Sequence, residues 1–166
     1  SDEVARELMQ KGNISYQLIV EYFGRDILMD DGEIDRKKLA DHVFNNKEAL
    51  EKLNSMTHPY VKDEIRKLIA EAEASGECRF VALESAILLE CGYEDICDEF
   101  WYVYTKPEIR RQRMKETRNY SDEKVDSVMR NQQPDEVFFD QCSFVIKNNT
   151  TLSDVYAQLK EKLDQQ

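Results

Sequence analysis

The stretch that most restricts the fold of this chain is Phe80-Val81-Ala82-Leu83, a short apolar run between segments of helical periodicity. It is too short for a helix, carries a β-branched and an aromatic residue, and is entered from Ser75-Gly76. Residues 79–84 therefore read as a strand buried on both faces. Two further runs share its form, Glu99-Phe-Trp-Tyr-Val-Tyr-Thr105 and Ser143-Phe-Val-Ile-Lys147. Strands separated by helical segments predict an α/β fold with a parallel sheet. Ligands of such sheets collect at the carboxyl ends of the strands. Glu84 stands at the tip of the first strand, and Glu90 follows six residues later.

Residues 3–75 are almost wholly helical in pattern. Val4, Ala5, Leu8 and Met9 form one face after Ser1-Asp2-Glu3, with Gly12 as a stop. A second helix spans 15–23. Ile27-Leu28-Met29 and Ile34 flank Asp30-Asp31-Gly32, a turn signal that fits a small hairpin or a loop. Asp35 caps a helix to Phe44, another covers 47–56, and Pro59 opens a third at its first turn, where a missing N–H costs nothing. Val61, Ile65, Leu68, Ile69 and Ala72 make the inward stripe of that third helix, and Ser75-Gly76 ends it.

Downstream, Pro107 opens a helix to about Arg118 and Ser121 opens another to Gln132. Leu152, Val155, Tyr156, Leu159 and Leu163 belong to a last one. Residues 106–118 hold six cations and two acids, although the whole chain of 166 residues has a formal charge of −11. The overall charge excludes a general nucleic-acid binder, which needs a broad basic face. The local cluster has two readings, a solvated helix held by Glu–Arg pairs or a clamp for anionic phosphate.

No run approaches the roughly 20 apolar residues of a membrane span, and no signal-peptide core is present, which places the protein in the cytoplasm. The four cysteines and two histidines lack zinc spacing, so free buried thiols are expected.

In this order and spacing the chain resembles the dephospho-CoA kinases, P-loop kinases of coenzyme A biosynthesis. The resemblance rests on Asp2-x-x-Ala5-Arg6, on Phe23-Gly24 through Ile34-Asp35-Arg36 to Val43-Phe44, and on His58-Pro59. Leu88-Leu89-Glu90-x-Gly92 and Val145-Ile146-x-Asn148 complete it. It departs from the family pattern at Ala86 (usually Pro), at Glu84 (Asp in many members), at Thr117 (near an expected Arg) and at Val128 (often Arg).

The resemblance implies a P-loop kinase-like sheet with flanking helices. Residues 1–12 and 77–166 would form a nucleotide-binding core with a lid at about 107–133, and residues 13–76 a helical coenzyme A lobe. It implies ATP-dependent phosphorylation of the ribose 3′-hydroxyl of dephospho-CoA, with Mg²⁺. Such chemistry is mainly positioning and charge neutralisation, with a carboxylate orienting the attacking hydroxyl. That carboxylate would be Asp2, for which sequence alone offers the role of helix N-cap. Arg113 and Arg118 would grip phosphates, ahead of Arg110 and Arg111. Asn148 would reach adenine, or serve as a turn residue. Arg6, Arg36 and His58 would meet substrate, while Arg6 also has Asp2 and Glu3 within pairing reach and His58 also suits a helix start. Glu84 would hold Mg²⁺ through water.

No GxxxxGK[ST] phosphate loop occurs in these 166 residues. In the family that loop precedes the segment beginning at Asp2, and its strand lies beside 79–84 in mid-sheet. A chain without it is expected to leave an open ladder edge and not to act as an autonomous kinase. The competing expectations are a nucleoside or nucleotide kinase and a non-catalytic remnant that binds coenzyme A or a partner chain, or oligomerises.

Overall fold

The computed structural model describes every residue except Asn45, Leu88, Glu90, Cys91 and Gln166. The chain forms two compact units, Ser1–Ile96 and Cys97–Gln166.

The first unit is helical. α1 (Asp2–Leu8) has acids in its first turn and Arg6 in its last, matching the helix dipole. α2 (Ile14–Phe23) ends at Gly24, whose φ of 84° belongs to the region glycine alone adopts freely. A single 3-10 turn follows at Arg25–Ile27. The hairpin-or-loop segment is a tight turn with one antiparallel bridge, Leu28 to Ile34. The Tyr16 hydroxyl ties it down by donating to the Gly32 carbonyl at 2.6 Å. α3 (Arg36–Val43) begins where Asp35 accepts from the Lys37 and Lys38 amides at 2.9 and 3.2 Å. The core joins Ile19, Ile27, Ile34, Leu39 and Met56, drawn from every segment between α2 and the helix after α3, while α1 buries none of its residues.

α4 (Lys47–Ser75) corrects the expectation of two helices meeting at His58-Pro59, because Pro59 lies inside one continuous helix. Proline removes one backbone donor there. Burial of Ala49, Met56, Thr57, Val61 and Ile65 along one side, with packing against α1, α2 and α3, outweighs that loss. The buried Thr57 hydroxyl is satisfied within the helix by donating to the Leu53 carbonyl at 3.0 Å, with that of Asn54 at 3.3 Å. Leu68, expected inward, is largely exposed. Gly76, at φ 64°, closes the helix in the left-handed conformation.

The strand expected over 79–84 does not form. Residues 79–83 are without regular structure, and Phe80 and Val81 are 45% and 49% exposed rather than buried. A strand exists only through its ladder, and among the described residues none pairs with this segment. Apolar patterning marks the tendency but supplies no partner. Ser1 nitrogen donates to the Glu84 carbonyl at 2.7 Å, so the segment is held at its end by one contact.

The second unit carries the α/β character. β1 (Trp101–Tyr104) and β2 (Phe144–Lys147) pair in parallel, Trp101 opposite Phe144 and Tyr104 opposite Lys147. Parallel neighbours need a long crossover, here α5 (Pro107–Arg118), α6 (Asp122–Arg130) and α7 (Asp135–Gln141). Pro107 sits at the first turn of α5, Ser121 caps α6 through the Lys124 amide, and Thr151 with Asp154 forms a capping box on α8 (Leu152–Asp164). Cys78 and Cys142 are free thiols as expected, but they are not buried: Cys78 is exposed and Cys142, like Cys97, only partly covered. Among the described residues no helix is long and apolar enough to cross a membrane.

Candidate active site

A cleft of about 410 Å³ opens between α1 and α3 in the first unit. Asp2, Ala5, Arg6 and Met9 line it from α1, and Arg36, Leu39, Ala40 and Val43 from α3. Each set has the spacing i, i+3, i+4, i+7, which places four side chains on one face of a helix. Leu53 of α4 closes the apolar floor. α3 therefore carries its charge at the start of the shared face, whereas α1 carries Asp2 at the start and Arg6 one turn later, between Ala5 and Met9. Asp2, Arg6 and Arg36 are all exposed.

None of these three makes an ion pair or side-chain hydrogen bond among the described residues. Asp2 and Arg6 are four apart on one helix, a spacing that permits a pair, yet they remain separate. Arg36 is the first residue of α3, where the positive end of the helix dipole opposes a cation. Neither a salt bridge nor helix stability accounts for Arg36 there. An acid and two arginines left unsatisfied over an apolar floor suit a ligand with phosphate or diphosphate and a less polar portion. Asp2 is also not the N-cap that its sequence context offers, since Ser1 takes that position and gives no side-chain cap.

Glu84 reaches this region through its backbone, by the bond from Ser1, the residue before Asp2. Its carboxylate is exposed and makes no bond among the described residues. His58 is not in the cleft. It lies in mid-α4, half-buried, and burial lowers its imidazole below the ordinary value of 6.5. It is therefore not the helix-start residue that the His-Pro pair suggests. Glu90 lies outside the described residues. Sequence reading missed a clamp at Gly92 and Asp95: Lys62 Nζ donates to the Gly92 carbonyl and pairs with Asp95 at 2.7 Å, and Arg66 joins the same carboxylate. Lys62 first, then Arg66, holds Asp95 below the usual carboxylate range. The only trace in the sequence was two cations four apart on a helix.

In the second unit, Asn148 follows the carboxyl end of β2. Its amide donates to the Tyr104 carbonyl at 2.8 Å, and its carbonyl accepts from Thr105 Oγ1 at 3.2 Å. That backbone anchoring leaves its side-chain amide unengaged among the described residues. Neighbouring Asn149 is structural, its Oδ1 accepting from the Lys106 amide at the start of α5. The arginines of α5 fall into two groups. Arg110 binds Asp135, and Arg111 binds Asp126 and Asp122. Arg113 and Arg118 make no ion pair among the described residues. The basic helix is thus held by Arg–Asp pairs to its neighbours, rather than by the Glu–Arg pairs that one of its two readings offered.

The protein-family model for dephospho-CoA kinase matches residues 1–154. The dephospho-CoA kinase of Lactobacillus johnsonii is 33% identical over 165 residues, covering 99% of this chain and 83% of its own length. That of Bacillus licheniformis is 37% identical over 165 residues, covering 99% and 81%. Among solved structures, TT1252 from Thermus thermophilus superposes with a TM-score of 0.77 at 27% identity, covering 99% of this chain and 81% of that one. The dephospho-CoA kinase of Campylobacter jejuni gives 0.67 at 25% identity, covering 98% and 81%. The α/β framework, the order of its elements and these relatives agree: the chain belongs to the dephospho-CoA kinase family.

Proposed function

We propose that the cleft between α1 and α3 is the acceptor site of an ATP-dependent kinase that phosphorylates the ribose 3′-hydroxyl of dephospho-CoA. Family membership makes the protein a dephospho-CoA kinase, acting at the last step of coenzyme A biosynthesis on small molecules. The observation that carries the site is the meeting of unpaired Asp2, Arg6 and Arg36 on one cleft.

Phosphoryl transfer asks little covalent chemistry of a protein. It needs the acceptor hydroxyl in line with the γ-phosphorus and the phosphate charge balanced. Asp2 accepts a hydrogen bond from the attacking hydroxyl, orients it and takes its proton as the new bond forms. Arg6 and Arg36 bind the anionic groups of dephospho-CoA, and the floor at Met9, Leu39, Val43 and Leu53 covers a less polar part. Residues 13–76 act as the acceptor lobe, with His58 contributing there. Arg113 and Arg118 neutralise ATP phosphates, and Asn148 bonds adenine.

Mg²⁺ takes one or two protein carboxylates and fills its remaining positions with water and phosphate oxygens. Glu84, a single exposed and unpaired carboxylate, fits that requirement through water, although no cluster of three ligating side chains occurs among the described residues. The ion when bound draws charge from the β- and γ-phosphates.

An assay of ATP consumption with dephospho-CoA, adenosine and AMP as acceptors tests this reading. Turnover is expected with dephospho-CoA, and Asp2→Asn is expected to lower kcat by about 10²–10⁴-fold with unchanged thermal stability. Equal turnover of all three acceptors defeats the substrate assignment, and a fully active Asp2→Asn removes Asp2 from the mechanism.

A further inference from the structure

No residue of α5 is fully buried, and Ile109 and Met114, its apolar anchors, are only half-buried. Charge adds to its attachment. Arg111 and Lys115 pair with Asp122 and Asp126, whose side chains are 62% and 47% exposed, and such solvated pairs are weak anchors.

Arg110 is held differently. Its Nη2 donates to both oxygens of Asp135 at 3.0 Å, and Nη1 donates to Gln132 Oε1 at 3.3 Å. Both partners are well covered, at 24% and 19% exposure. Asp135 also accepts from the Tyr102 hydroxyl at 2.7 Å, and the Tyr102 ring stacks on Phe138 with centroids 4.7 Å apart. Burial first, and then the bond to Asp135, keep the Tyr102 proton in place far above its usual pKa. One carboxylate thus joins a residue of β1, the first turn of α5 and the start of α7. Arg110 Nε is buried without a partner. A buried orphan donor is unfavourable, so stability alone does not select this orientation of the guanidinium.

We propose that Asp135 is a positioning residue for phosphoryl transfer. Through Arg110 it fixes the first turn of α5, so that Arg113, one turn further on, and Arg118 present free guanidinium groups to the nucleotide phosphates. The inference rests on the reading of Arg113 and Arg118 as phosphate ligands given above. Asp126, Asp122 and Asp135 together occupy the other cations of the helix, which keeps competing carboxylates away from these two.

The test is a double-mutant cycle in steady-state phosphorylation of dephospho-CoA, with thermal melting of each variant. Asp135→Asn keeps the shape of the side chain and removes its charge. It is expected to lower kcat about tenfold, as misplacement of a catalytic group does, and to leave KM for dephospho-CoA unchanged. In a background of Arg113→Ala with Arg118→Ala it is expected to cost nothing further, because the groups it positions are gone. Asp135→Glu is expected to recover part of the loss. If Asp135→Asn fails to fold, Arg110→Gln, which leaves the Tyr102–Asp135 bond, reports the same coupling. An equal loss in both backgrounds, or none in either while the arginine pair proves important, overturns the positioning role alone. Full activity of the arginine double variant overturns the phosphate-ligand reading itself, and the Asp135 role with it.

Discussion

Arg6 on α1 and Arg36 on α3 line the same cleft, and among the described residues neither is matched by an acid. Asp2 lines the cleft as well but pairs with neither, and two guanidinium groups left without a protein partner among the described residues suit an anionic ligand. Arg6→Ala and Arg36→Ala are each expected to raise KM for dephospho-CoA by about 10–100-fold, the equivalent of ~1.5–3 kcal/mol for a charged hydrogen bond. Arg36→Lys recovers only part, since lysine lacks the planar fork. Steady-state kinetics decide the matter, and an unchanged KM removes that arginine from the acceptor site. Melting curves supply a second readout. Because Arg36 sits against the α3 dipole, its removal is expected to stabilise the fold by about 0.3 kcal/mol while weakening substrate binding.

Asp35, one residue earlier, has the opposite balance. Its carboxylate caps α3 through the Lys37 and Lys38 amides. Asp35→Ala is expected to cost about 1 kcal/mol of stability. Urea unfolding measures that cost, and Asp35→Asn or Asp35→Ser is expected to retain most of it.

Ile19 is fully buried and packs within the cluster of Ile27, Ile34, Leu39 and Met56. Ile19→Ala is expected to destabilise by about 2–5 kcal/mol, the lost transfer energy plus a cavity. Leu39 belongs to that cluster and also lines the cleft. Loosening the core is therefore expected to raise KM for dephospho-CoA as well, at temperatures where the variant is still folded.

His58 predicts a pH dependence. Burial lowers its folded-state pKa below 6.5, so on acidification the unfolded chain takes up its proton first. Stability therefore rises with pH across that window. Its contribution is fully present above 6.5 and is lost as pH falls from 6.5 through the lower folded-state value. Denaturation at a series of pH values should show the slope in the parent and a flatter profile in His58→Gln. Identical profiles would assign the acid sensitivity to other groups.

Much of the helical framework was readable directly from residue order. Asp35, Ser121, Thr151 and Pro107 each act within one turn of their own position, so local chemistry sets those helix starts. The strands at 101–104 and 144–147 were also legible, because runs of aromatic and β-branched residues mark them and each finds the other. Phe80–Leu83 carried the same signal and did not become a strand, since a ladder needs a partner and none of the described residues provides one. Pro59 shows the converse, a local helix-breaking signal overridden by the continuous burial of α4.

The same division holds for the site. Asp2, Arg6 and Arg36 are recognisable in the sequence by type and by family resemblance, but their convergence is not. Thirty positions separate Arg6 from Arg36, and only packing of α1 and α3 against α4 brings their faces onto one cleft. The four arginines of α5 carry identical charges, and nothing local in the sequence tells them apart. Which of them are taken by Asp135 and Asp126, and which stay unpaired among the described residues, is decided by acids 11 to 25 residues away along the chain. The sequence by itself determined the helix caps, the strand candidates and the family. Tertiary structure decided which strand candidate pairs, which proline is tolerated and which charges stay free, because each depends on partners remote in the chain.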